Sequence, residues 1–172
     1  MILKVFKANS NQKYINKLLN ARQVAVSNMK MNSVGVILNM NEFSDFDTFR
    51  NYFKELGVSP AKTKVIAFID DAKDANPLWD TYFNPKDFGW KGKINNVDLQ
   101  SFIDTKFDVL ISYYTQESLE LKLITAASKA NFKVGLIQDD KRVFDLMIDV
   151  KTKDIQLFKI ELKKYLTVLN KI

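Results

Sequence analysis

FDVLISYYTQESLELKLITAASKANFKVGLI, residues 107–137, is the stretch whose reading decides the fold. Val109, Leu110 and Ile111 form an apolar run without polar alternation, continued by Tyr113 and Tyr114. Such a run suits a strand covered on both faces, as in a parallel sheet. From Gln116 to Ala130 the spacing becomes helical. Leu119, Leu123, Ala126, Ala127 and Ala130 fall on one side with Ile124 at its margin, while Lys122, Thr125 and Lys129 fall on the other, towards water. Thr115 is placed to cap this helix, Glu117 suits its first turn, and Asn131 suits a left-handed end. Phe132, Val134, Leu136 and Ile137 then start a second strand. Two buried strands joined by a helix form a right-handed crossover, the repeating unit of layered α/β domains.

The chain before it holds a second such unit. SVGVILNM, Ser33–Met40, reads as the first strand and KVIAFI, Lys64–Ile69, as the next. Between them Ser44 is placed as a cap, with Asp45 and Asp47 in the first turn. Phe46, Phe49, Phe53 and Leu56 make a helical stripe that reads as core, and Gly57 and Pro60 close it. A short helix is expected around Val97–Ile103. QDDKR, residues 138–142, reads as a solvated turn too short for a crossover helix, before a short edge strand over Leu146–Val150. A closing helix from near Asp154 carries Ile155, Phe158, Leu162, Tyr165 or Leu166, and Leu169 on one face. The expected architecture is a single three-layer Rossmann-like α/β domain over residues 33–172, with a mostly parallel five-stranded sheet. A basic helical segment, residues 1–32, is expected to pack on it.

That segment concentrates the charge. Lys4, Lys7, Lys13, Lys17, Arg22 and Lys30 lie within it and no acidic residue does, so the whole formal excess of +6 resides there and the remainder is balanced. A neutral body with a basic extension is a pattern for contact with a polyanion, here RNA or a ribonucleoprotein surface. These six residues are the polyanion-binding candidates. The helix itself is expected over Asn9–Val26, with Tyr14, Ile15, Leu18, Leu19 and Ala25 on its apolar arc and Arg22 projecting into that arc. No apolar run approaches the roughly 18 residues of a membrane span, and the first residues lack a signal-peptide core, so a cytoplasmic location is expected.

The available chemistry is narrow. The chain contains neither His nor Cys, which excludes the common zinc sites, the Ser-His-Asp arrangement and thiol nucleophiles. No GxxxxGK[ST] or GxGxxG occurs. No catalytic residue, metal site or cofactor is assigned. Open parallel sheets bind ligands beyond the carboxyl ends of their strands. The candidates there are Asn39, Asn41, Asp70, Asp71, Ser112, Tyr113 and Tyr114. An aromatic excursion over residues 71–96 starts at the same edge, and Trp79 and Trp90 are candidates for a binding wall or for docking a protein partner.

NPKDFGWKGK, residues 84–93, together with residues 107–136, resembles an uncharacterised family of small cytoplasmic proteins of Bacteroidota, a resemblance that implies no activity. FDVLI, a helix and SKANFKVGL are also similar to the N-terminal half-domain of heptosyltransferase-type glycosyltransferases, through Ala130, Lys133 and Gly135. That second resemblance implies a sugar-nucleotide site. Those enzymes complete the site with a second Rossmann-like domain, for which this chain is too short. The expectations are therefore a non-enzymatic polyanion-binding module, with small-molecule or sugar-nucleotide binding at the strand ends and a protein-interaction scaffold as alternatives.

Overall fold

A computed structural model describes residues 2–24, 29–71, 73, 81–136 and 138–172. Its strands are β1 (Val34–Asn39), β2 (Thr63–Phe68), β3 (Tyr82–Phe83), β4 (Val109–Tyr113), β5 (Phe132–Leu136) and β6 (Leu146–Ile148). They form one sheet in the order β3-β2-β1-β4-β5-β6, and every neighbouring pair is parallel. The chain is thus a Rossmann-like α/β domain. The expected five strands become six because Tyr82 and Phe83, inside the aromatic excursion, pair with Ala67 and Phe68. Two residues are too few to register as a strand by periodicity.

The central strands are buried along their whole length, so both sheet faces need cover. Helices α2 (Phe46–Glu55) and α5 (Ile155–Val168) lie on one face. Phe49, Phe53, Phe158, Leu162 and Leu166 pack there with Val36, Val65 and Ile111. Phe158 meets both Phe49 and Tyr113 edge-on. Full burial of one such side chain contributes about 1.5–3 kcal/mol. Helices α1 (Ile2–Ala21), α3 (Val97–Asp104) and α4 (Leu119–Ala127) cover the other face, where Ile15 and Leu19 of α1 join Phe102, Leu123 and Ile124.

Several local expectations are corrected. Helix α1 starts at Ile2 and ends at Ala21, earlier at both ends than expected, and Ala25 and Val26 lie outside the described residues. Asp45, and not Ser44, caps α2, accepting from Thr48 N. Ser118 caps α4, which is shorter than expected, and Asn131 does not take the left-handed conformation. Thr125 points inward and is fully buried, bonded to Ser112 and Tyr114. Lys122 is held between Glu117 and Asp140.

As expected, residues 138–145 lead from β5 to β6 without a crossover helix; the departure is that they dock on α1. Phe144 lies over Gly135, where an added Cβ would meet the ring at 2.4 Å, so a glycine lets the connection sit flat on the sheet. Arg142 donates to Asn16 and Asn20 of α1. Asp145 accepts from Lys133 N at 2.7 Å and from Arg22 Nη2 at 2.5 Å. The Asp145 side chain is only 3% exposed; its Oδ1 has no hydrogen-bond partner among the described residues, and Arg22 is the counter-ion at Oδ2. Beside this pair Lys133 is 2% exposed and donates to the carbonyls of Thr125 and Ala126 at the end of α4. Burial, then the neighbouring Arg22 cation, pulls the Lys133 ammonium down to about 7, with Asp145 opposing.

Two outcomes follow for stability. Arg22→Ala leaves Asp145 as an uncompensated buried charge and is expected to cost about 3–5 kcal/mol in equilibrium denaturation. Lys133 is neutral in the folded chain above about pH 7 but stays protonated in the unfolded chain up to its ordinary value of 10.5. The unfolded state therefore binds more protons in this window, and stability rises with pH across it. Lys133→Met is expected to flatten that rise in a thermal denaturation series from pH 7 to pH 10.5.

Candidate carboxyl-edge cleft

The site is set by where α1 lies. Its Ile15 and Leu19 bury against α3 and α4, and Asn11, one turn earlier on the same face, is 3% exposed. A buried amide needs partners. Asn11 finds them in a small hairpin of the excursion, donating from Nδ2 to Gly89 O at 3.1 Å and accepting from Gly92 N at 2.9 Å. Phe88 and Ile94 close this hairpin with an antiparallel bridge. Lys91 and Gly92 at its tip both have positive φ, as a tight primed turn requires. A Cβ on Gly92 would also fall 2.2 Å from the Tyr14 ring. Helix and hairpin fit only with a glycine there.

The first turns of α1 therefore extend over the carboxyl edge of the sheet. Lys4, Lys7, Ala8 and Asn11 face Asp70 and Asp71 after β2, Pro85 and Lys86 after β3, and Leu119 and Glu120 at the start of α4. These residues enclose a cleft of about 520 Å³. That volume falls within the range of small-molecule sites. Among the described residues three lysines and three carboxylates line it, a mixed-charge wall able to hold an anionic group and hydrogen-bond hydroxyls together. Lys86 is presented by a short 3₁₀ turn, Pro85–Asp87, which Asn84 and Asp87 fix with a reciprocal capping box.

The structure brings some of the candidates together and disperses others. Lys4, Lys7, Asp70 and Asp71 share the cleft. Asn41 borders it by donating to Asp70 Oδ2 at 2.7 Å. Asn39 is 4% exposed and spent on its own loop, accepting from Asn41 N and donating to Glu42. Ser112, Tyr113 and Tyr114, also expected at a ligand, are fully buried and are not among the residues lining the cleft. Tyr113 donates to Thr152 O on one face, and Tyr114 to Leu121 O on the other. Burial pushes both phenols well above the usual tyrosine range. Trp79 lies outside the described residues, and Trp90 is 48% exposed on the hairpin away from the lining. Phe83 and Phe88 of the excursion pack inward.

The six basic candidates do not form one patch. Lys13 and Lys17 are exposed, as is Lys30 after the end of α1. Arg22 is committed to Asp145. Asn11, Lys86 and Glu120 were not singled out by the sequence. Only Asn11 carried a signal, a polar residue four positions before Ile15 and eight before Leu19 on the apolar arc.

The fold and cleft define a Rossmann-like α/β domain with an opening at the carboxyl edge of an all-parallel sheet. The chain belongs to DUF6913, a family of unknown function, whose family model matches residues 7–169. Neither the curated proteins nor the solved structures yield a match. Among the described residues, no helix is long and apolar enough to cross a membrane.

Asn11→Ala removes both partners of the hairpin and is expected to cost about 1–3 kcal/mol. Gly92→Ala is expected to cost more, because strained φ and the Tyr14 contact act together. Denaturation combined with hydrogen exchange at the hairpin amides checks both, and α1 should loosen with the hairpin.

Proposed function

We propose that the protein is a small-molecule binding module whose site is the carboxyl-edge cleft, and that its ligand is an anionic, hydroxyl-bearing compound such as a sugar phosphate or a sugar nucleotide. The observation that carries this reading is the joint lining by Lys4, Lys7 and Lys86 with Asp70, Asp71 and Glu120. Ammonium groups suit phosphate as point charges, and carboxylates accept hydrogen bonds from sugar hydroxyls. The edge on which the cleft opens is where open α/β sheets hold ligands. No reaction is assigned.

Contact of α1 with RNA is the lesser reading. It retains Lys13 and Lys17 on the exposed side of the helix, while Lys4 and Lys7 line the cleft and Arg22 is engaged elsewhere. Phosphate contacts from so few residues would give shallow salt dependence.

Thermal shift measurements with glucose 6-phosphate and uridine diphosphate glucose test the two readings against each other. A ligand present at about 100 times its Kd adds ~2.7 kcal/mol to stability. The expected result is stabilisation that Lys4→Ala/Lys7→Ala/Lys86→Ala abolishes and Lys13→Ala/Lys17→Ala preserves. Binding of an oligoribonucleotide that depends on Lys13 and Lys17, with no response to either sugar compound, would replace the cleft by the RNA reading.

A further inference from the structure

The strand order β3-β2-β1-β4-β5-β6 reverses direction between β1 and β4. This is the switch point, where the loops after the two central strands diverge and where doubly wound sheets place their ligands. Here the gap is bridged by one side chain. Glu42, in the loop after β1, reaches the loop after β4 and takes hydrogen bonds from Thr115 N at 2.9 and 3.0 Å and from Gln116 N at 2.8 Å. The Thr115 hydroxyl also donates to it, and Asn39 Nδ2 donates at 3.3 Å. Successive backbone N–H groups aimed at one anion make a nest of the kind that binds phosphate elsewhere.

We propose that the Thr115 and Gln116 amides with the Thr115 hydroxyl form a phosphate site, that Glu42 is its built-in occupant, and that the phosphate of a cleft ligand displaces it. The proposal rests on the cleft reading for the remainder of the ligand. The occupant can leave without disturbing its loop. The Thr115 and Gln116 bonds to Glu42 are exposed to water, whereas the loop backbone is fixed on both sides of it. Asn41 is tied to Asp70, and Phe43 packs edge-on against Phe49 and Tyr113. The nest is linked to the cleft lining on both sides: Asn41, next to Glu42, bonds to Asp70, and Leu119 and Glu120 follow Gln116 within four positions. Exchanging one carboxylate for another would gain little. A phosphate brings a further oxygen and further charge, and Lys4 and Lys7 line the adjoining wall.

The test is a titration of ¹³C,¹⁵N-labelled protein with inorganic pyrophosphate, with acetate as the carboxylate control. Wild type, Glu42→Ala and Glu42→Gln are compared. An internal occupant lowers apparent affinity by the fraction of time the site is open, so Glu42→Ala should bind pyrophosphate about tenfold more tightly or better. The response should centre on the Thr115 and Gln116 amides. In wild type the same amides and the Glu42 carboxyl carbon should shift together as the occupant leaves, a readout that stands even if Glu42→Ala does not fold. Unmoved Thr115 and Gln116 amides, or an equal response to acetate, would overturn the proposal. Lys4→Ala/Lys7→Ala separates it from the cleft reading. If sugar compounds do not bind but pyrophosphate still moves the two amides, the nest stands and the cleft reading fails.

Discussion

The pairing of Arg22 with Asp145 is the interaction on which the rest of the architecture turns. Asp145 sits where the helix-free connection enters β6, and it also accepts the amide of Lys133 at the start of β5. A carboxylate this deeply placed demands a cation, and Arg22, directly after the first helix, supplies it. The pair thereby fixes the far end of α1, and the amide of Asn11 fixes its middle on the excursion hairpin. With two points held, the first turns have one course left, across the carboxyl edge. The cleft is thus a by-product of polar satisfaction elsewhere. Lys4 and Lys7 gain their position from Arg22, which is not among the lining residues, and from Asn11 at the cleft's own border.

The loop after β1 plays the corresponding part at the centre of the sheet. It is bound to the β2 side through Asn41 and Asp70 and to the β4 side through Glu42 and Thr115. At the opposite end of the same strand pair, Asp108 accepts from the amides of Asn32 and Ser33 and from the Ser33 hydroxyl. Carboxylates therefore lace β1 to β4 at both ends. Folds of this class commonly leave the carboxyl-end gap open with a glycine-rich turn. This chain has no such turn and fills the gap with a side chain.

The layered fold was legible because it rests on runs and stripes, which periodicity reads well. Val109–Ile111, the Phe46, Phe49 and Phe53 stripe, and Phe158 with Leu162 each report their own burial. What escaped was set by pairing across distance. Helix caps moved by a few residues because Ser118 and Asp45 compete with equally plausible neighbours. Residues 138–142 read as solvated because their charges gave no sign of partners on α1 and α4. The strand-end rule pointed to the edge on which the cleft opens, and Asp70 and Asp71 line that cleft. It could not separate side chains that point into the cleft from Ser112, Tyr113 and Tyr114, whose alternation sends them into the two cores. The grouping of lysines by sequence likewise missed that one helix turns successive cations towards different surroundings.

The placement of α1 also bears on how the chain is made. The helix leaves the ribosome ahead of the elements it joins, yet its partners come late. Asn11 waits for Gly89 and Gly92, and Arg22 waits for Asp145, 123 positions further on. Met31, just beyond, pairs its amide with Lys171 O at the other extremity. Until those segments emerge, Ile15 and Leu19 have no surface to cover them, and a helix of this kind held in the open is a natural client for nascent-chain chaperones. The strand–helix–strand units can form in order of synthesis, but α1, translated before them, is among the last to be seated.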